Sequence, residues 1–403
     1  MNPKTLSSIA ARLLRHPAAP YHETAVRAEV EQICAEHHLA CQRDKFGNLL
    51  VRLQTAPQQR PFVLAAHLDH PGFEIIRPLP GNRWLARFLG GVGDAYFEKG
   101  IPLRLMPGAT PATLGKRIGK EKHFEIHPLK TPVMTGQSNT LPLRVGRASP
   151  RAGSPAGPLT KVAPQFAVWE LEDFALRDGL IHARACDDLI GVATILATMI
   201  TLQKTRARVN VIGVISRAEE VGFHGALTVA GSRQLPPNSL VISLETSREL
   251  PPATMGQGVI IRVGDCASIF DSASTRFLGE VAAGLQHRDK SFQFQRALMY
   301  GGTCEATAFQ EFGFQTAAVC VALGNYHNCA PKNKIAAEYV SLADACSMAD
   351  LLAEAAKQMK NFPRLTAKLP LRLRKMLKEA RQKLHPRTAK NQAPRMVIEN
   401  LMR

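Results

Sequence analysis

Four apolar runs of strand length recur along the chain: Phe62–Ala66, Val209–Ile215, Ser239–Leu244 and Ala317–Leu323. Continuous apolar runs suit strands buried on both faces. Between and after them lie helical periodicities at Leu189–Leu202, Phe277–Leu285 and Ser341–Met359, and a helical turn at Gly225–Ala230. Strands alternating with helices imply an α/β fold with a mainly parallel central sheet flanked by helices. From about Phe73 the texture changes to short β-like pieces broken by Gly90-Gly91, Gly93, Pro102, Pro107-Gly108, Gly115 and Gly119, with no helical period. That predicts a small inserted all-β domain, with Ala148–Pro164 as the loop returning from it. The expected organisation is a discontinuous catalytic α/β domain (1–72 and 165–360), an inserted β domain (73–164) and a C-terminal extension (361–403). A length of 403 residues agrees, being more than one core usually serves.

The charge is unevenly spread. Lys and Arg exceed Asp and Glu by 18, but Ala356–Arg403 alone holds 14 basic and 2 acidic residues, leaving 18 − 12 = +6 for the rest. Within the tail, Pro370 is expected to open a helix whose Leu373, Met376, Leu377, Ala380 and Leu384 share a face. Packing of that stripe on the protein itself is preferred to contact with nucleic acid, an anionic membrane surface or a partner, because no aromatic residue interleaves the cations. A hydrophobic fraction of 45% and a charged fraction of 21% exclude disorder and fibrous repeats. The 8 cysteines form no Cys-x-x-Cys pair, which argues against a zinc ribbon or iron–sulfur cluster and fits reduced thiols. No transmembrane run or secretory signal is recognisable. Leu6, Ile9, Leu13 and Leu14 with Arg12 and Arg15 read as an amphipathic first helix rather than a transit peptide, so a cytoplasmic protein is expected.

The chemistry is positional. The first strand ends in His67-Leu68-Asp69-His70, the second near Glu219-Glu220, the third in Glu245, and the fourth is followed by His327; Asp187-Asp188 precede the Leu189 helix. Ligands of open α/β sheets bind outside the carboxyl ends of the strands. Taken singly, each feature has a bland reading: a structural His, a helix cap, a solvated turn. Together they place many carboxylates and two histidines in one region, with Arg217 the only basic residue in the immediate motifs, and that calls for a cation. Oxygen and nitrogen donors without cysteine suit Zn²⁺, Co²⁺ or Mn²⁺. Two ions need a bridging carboxylate, and a free carboxylate beside bound water would serve as general base.

These residues resemble the M42 dinuclear metallo-aminopeptidases, the group of glutamyl aminopeptidases and cellulase M-like proteins, and more distantly the M28 and M20 peptidases. The matching stretches are Ala66-His67-Leu68-Asp69 with Gly72-Phe73, Ala185-Cys186-Asp187-Asp188 with Gly191, Glu219-Glu220-Val221-Gly222 with Gly225-Ala226, Gly301-Gly302-Thr303, and Tyr326-His327. The resemblance implies a zinc-peptidase type fold and two divalent metal ions per subunit, Zn²⁺ first with Co²⁺ or Mn²⁺ as alternatives. It further implies one ion on His67 and Glu245, the other on Glu220 and His327, Asp187 bridging, Glu219 as general base, and Asp69 orienting His67. Homo-oligomers are also implied, with the β insertion helping to form them.

The chain departs from the family pattern at His70-Pro71, where an acidic residue usually follows, at Leu189 in place of Arg, and at Glu245 in place of Asp. It departs again at Cys304-Glu305 after Gly-Gly-Thr, and at Asn325-Tyr326-His327-Asn328, which lacks the usual Arg and Ser. The expected function is a metal-dependent aminopeptidase acting on short peptides. The rivals are an M20-like N-acyl amino acid deacylase or amidohydrolase, and a non-catalytic scaffold with a basic tail.

Overall fold

The computed structural model describes residues 1–129 and 163–384. Most of the expected return loop and the end of the C-terminal extension lie outside the described residues. The chain divides into two units, Met1–Lys360 and Asn361–Arg403.

The first unit is built on a large mixed sheet. Its order is Ala40–Arg43, Leu49–Gln54, Asn210–Ser216, Phe62–His67, Leu240–Arg248, Gln315–Gly324, Glu338–Ser341, Leu180–Ala183 and Ala175–Arg177. The four strands read from the apolar runs are its neighbouring centre, all parallel. Two further strands, Val259–Gly264 and Phe294–Leu298, branch from the Gln315–Gly324 strand. The expectation of a mainly parallel sheet is therefore corrected. The pairings at both edges are antiparallel, because they are made by hairpins and chain returns rather than by strand–helix–strand crossovers.

Coverage of both faces explains the apolar runs. Val63 and Ala65, with Ile212 and Val214 beside them, pack toward Ala226, Val229, Phe309 and Phe314 of the helices His224–Ala230 and Glu305–Glu311 and the turn that follows. On the other face lies helix Cys186–Lys204, flanked by helices Pro3–Leu14 and Leu342–Gln358. Gly213, in register with Leu64, lets this helix approach: a Cβ there would stand 2.9 Å from Ile195 Cγ2. The helix is long and apolar enough to cross a membrane, but 89% of its apolar window is buried inside the protein. Leu6, Ile9, Leu13 and Leu14 of the first helix are buried, so its apolar stripe is core.

Between two sheet strands the chain builds a closed barrel in the order Gly72–Leu79, Arg83–Leu89, His123–Pro128, Thr110–Arg117, Pro102–Met106 and Phe166–Trp169. Strand Phe166–Trp169, read from sequence as the return to the catalytic segment, pairs with Phe73 and Glu74 and closes the ring. The interior is aromatic: Phe73 lies 4.9 Å from Phe88 and 5.1 Å from Trp169, edge to face. In the second unit, helix Phe362–Leu384 carries Pro370 inside it, so Pro370 does not open the helix.

Phe73 is fully buried. Phe73→Ala is expected to lower unfolding free energy by about 3–5 kcal/mol, whereas Leu176→Ala, at a half-exposed position, should change it by less than about 0.5 kcal/mol. Urea unfolding followed by Trp fluorescence checks both.

Candidate metal centre

The parallel strands deliver their chemistry to one edge. His67 ends its strand opposite Ser216, and Ser243 pairs with Ala65, which brings Glu245 level with His67. Helix Cys186–Lys204 points its first residues at the same edge, with Asp187 and Asp188 still outside helical geometry. The loop after strand Gln315–Gly324 adds His327.

The two imidazoles face one carboxylate. His67 Nδ1 is 3.1 Å from the Asp69 carbonyl, which leaves Nε2 at 3.6 Å from Asp187 Oδ1 and 3.9 Å from Glu219 Oε2. His327 Nδ1 is 2.9 Å from the Gly91 carbonyl, which leaves Nε2 at 3.1 Å from Glu220 Oε1 and 3.6 Å from Asp187 Oδ2. Each ring is thus held by one nitrogen and presents the other, the arrangement typical of metal-ligating histidine. Three donor groups form: His67, Asp187 and Glu245; Asp187, Glu220 and His327; and His67, Glu219 and Glu220, each with its donor atoms within 4.8 Å of one another. Asp187 belongs to the first two.

The electrostatics are those of an anionic cluster short of cations. Burial alone would neutralise Asp187, but His327 and His67 hold its carboxyl below the usual range. Burial disfavours the charged rings too, yet Glu219, Asp187 and Asp69 raise His67, and Glu220 with Asp187 raises His327. Four other acids go the other way. Burial pushes Glu219 and Asp188 up, Glu245 to about 8 and Glu305 to about 7. Asp187 Oδ1 and Glu245 Oε1 are buried without a hydrogen-bond partner among the described residues, and Glu220 Oε1, 3.1 Å from His327 Nε2, lacks good hydrogen-bond geometry. Buried acceptors left unpaired are costly, and oxygens converging on shared points are what a divalent cation would satisfy. The residues fit such ions.

Several positioning groups are absent from the sequence reading. Glu338, fully buried, accepts the Asp187 N–H at 3.0 Å on one oxygen and the His327 N–H at 2.8 Å on the other. Asp69 stands beside His67 and also makes contacts the expectation did not include. Its carboxylate accepts the N–H groups of Glu219 and Glu220 at 2.9 and 3.1 Å, and it stands 3.6 Å from His67 Nδ1, whose nearer partner is the Asp69 carbonyl. Asp69 therefore fixes the Glu219–Glu220 turn as well as standing near His67. Glu23 holds the start of that turn through Arg217 Nε at 2.8 Å and the Ala218 N–H at 3.2 Å. Asp188 turns inward, accepting the Gly191 N–H at 3.2 Å; a Cβ on Gly191 would lie 2.3 Å from its Oδ2. Backbone strain gathers here: Ala218, Phe223 and His327 all have φ between 52° and 59°, which persists only where surrounding contacts enforce it.

The donor cluster opens into a cavity of about 250 Å³. Its other walls include Leu250, Met299, Tyr326, Arg248 and Arg262. Tyr326 stacks on His327 with ring centroids 3.8 Å apart, and the Arg248 guanidinium lies 5.1 Å from the Tyr326 ring. Arg262 is 3% exposed, reaches Ser247 Oγ at 3.3 Å, and leaves Nε without a partner among the described residues.

Residues 163–340 match the sequence model of the M42 glutamyl aminopeptidase family. No curated protein matches the chain. Among solved structures, the TET1 peptidase of Pyrococcus horikoshii, reported to assemble into a tetrahedron or a large octahedral shell, superimposes with a TM-score of 0.65 at 21% identity, covering 87% of this chain and 99% of its own. A TET aminopeptidase from a marine-sediment Thaumarchaeota archaeon gives 0.69 at 17% identity over 90% and 100% of the two chains. An aminopeptidase of Desulfurococcus kamchatkensis gives 0.67 at 18% identity over 88% and 95%. The fold is shared almost throughout these proteins.

Replacing Glu338 by Gln puts an amide N–H against one of two backbone N–H groups. Glu338→Gln is expected to weaken binding of the more loosely held divalent ion about tenfold or more, read by isothermal titration with Zn²⁺ or Co²⁺, while circular dichroism keeps the wild-type shape.

Proposed function

We propose that this chain, whose residues 163–340 match the sequence model of the M42 glutamyl aminopeptidase family, works as a dinuclear metal-dependent aminopeptidase on short peptides. One observation carries the reading: two groups of buried donors, His67 with Glu245 and Glu220 with His327, share Asp187 between them. In this reading His67 and Glu245 would hold one divalent ion and Glu220 and His327 the other, with Asp187 available to both. Bound ions of this kind acidify water and polarise a carbonyl.

The residues of the chain do the rest. Glu219 lines the cavity beside His67, and its burial keeps its proton affinity high. It takes the proton of the attacking water and passes it to the leaving amine. Asp69, through the Glu219 and Glu220 N–H groups, fixes where that carboxylate stands. In the cavity wall, a buried guanidinium with an unused donor favours a carboxylate-bearing N-terminal side chain. Arg262 and the cavity-lining Arg248 therefore support an acidic first residue. We further propose that the barrel Gly72–Trp169 acts as the inserted domain, and that copies of the chain assemble as the TET structures do.

Elemental analysis is expected to give close to two metal ions per chain, with turnover of aminoacyl anilides; no metal would sink the reading. Hydrolysis of N-acylated amino acids with free-amine peptides inert would favour a deacylase instead. Glu219→Gln should lower kcat about 100-fold or more with metal content kept; parallel loss of metal would make Glu219 a ligand. Arg262→Met should lower kcat/KM for a glutamyl anilide about tenfold or more while sparing a leucyl one. Light scattering on eluted fractions reads the subunit number.

A further inference from the structure

Helix Phe362–Leu384 sorts its side chains with little mixing. At about 100° per residue, Leu369, Leu373, Met376, Leu377, Ala380 and Leu384 fall within one arc about 100° wide. Arg364, Lys368, Arg372, Arg374, Lys375, Lys378, Arg381 and Lys383 take the rest of the circumference, with Glu379 the sole acid, a net of 8 − 1 = +7 over residues 361–384. The large apolar side chains of the arc are exposed: Leu369 43%, Leu373 52%, Met376 50%, Leu377 50% and Leu384 82%.

Each possible occupant makes a different demand on this surface. A nucleic acid would be served by the cations and would leave the leucine arc in water. A second copy of the helix would cover the arc but bring another +7 within about 10 Å, and the remainder of the chain is itself net basic. An anionic lipid surface satisfies both halves at once. Acyl chains take the apolar arc, and headgroup phosphates and carboxylates take the cations that flank it. A highly cationic helix with a clean apolar arc and low overall hydrophobicity is the kind that lies in a bilayer interface without crossing it.

We propose that the helix Phe362–Leu384 is a membrane-surface anchor that lays its Leu373–Leu377 arc into an anionic phospholipid leaflet. The anchor is independent of the metal centre and does not require the peptidase reading. It would carry the first unit to a membrane face with the helix lying in the interface.

The test uses the full chain and flotation with vesicles of pure phosphatidylcholine or of equimolar phosphatidylcholine and phosphatidylserine. Flotation with the anionic vesicles alone is expected. Lys375→Gln together with Lys378→Gln should weaken it about fivefold for each charge removed. Leu373→Asp with Leu377→Asp should weaken it about tenfold or more per residue. Unchanged anilide hydrolysis or circular dichroism certifies that these variants are folded. The proposal is overturned if the chain floats with neither vesicle, or if the leucine variant binds like wild type while the lysine variant does not. It is equally overturned if the leucine variant instead dissociates an oligomer.

Discussion

Everything near the functional edge is organised by the crowding of carboxylates away from water. Asp187, Glu245, Glu305 and Glu338 are buried and Glu219 and Glu220 half-buried, and they converge beside two imidazoles, in a region where charge is poorly screened. Two histidines cannot neutralise that many acids, and burial first, with the neighbouring acids second, raises the proton affinity of Glu219, Glu245 and Glu305. Divalent ions would compete with protons for these carboxylates, so any metal binding there is expected to depend on pH. The cost of gathering such a cluster is met by the fold, whose apolar sheet and buried helix hold the donors in place.

How the donors are held is as informative as which they are. Backbone groups carry most of the orientation: the Gly91 carbonyl fixes His327, the Asp69 carbonyl fixes His67, and Glu338 clamps the N–H groups of Asp187 and His327. Gly91 comes from the turn after barrel strand Arg83–Leu89, so the barrel supplies part of the site and not only a rim around it. Its approach depends on Gly90, whose φ is +113° and where a Cβ would stand 2.7 Å from Pro71 Cβ. A single turn thus couples barrel geometry to the aim of His327.

The sequence exposed those parts of this design that are local. Strand cores and the acids at their ends are readable because a strand buried on both faces writes a continuous apolar run, and its terminus is the next residue. Antiparallel edges left weaker traces, since Leu180–Ala183 and Glu338–Ser341 are each 4 residues long. Glu338 was illegible for a different reason: in sequence it is one acid after Ala336-Ala337, and only the fold brings it to Asp187, 151 positions away. The tail helix was visible by its period, but Pro370 was misread as its start because proline suits a first turn better than an interior.

His70 and Asn328 bear on how far the departures from the M42 pattern reach. They stand 258 positions apart and look like separate losses, an acid at one place and a serine at the other. In the structure they are one contact: His70 Nε2 lies 3.0 Å from Asn328 Oδ1, and His70 Nδ1 lies 2.9 Å from the Asp187 carbonyl. Asn328 Nδ2 donates to the Arg184 carbonyl at 2.8 Å, which sets its oxygen toward His70. With Glu338 on the Asp187 N–H and His70 on its carbonyl, the shared carboxylate is steadied through both of its own backbone groups. The frame around that carboxylate is thus assembled from His70, Asn328 and Glu338, residues far apart in sequence that meet only at the end of the parallel strands.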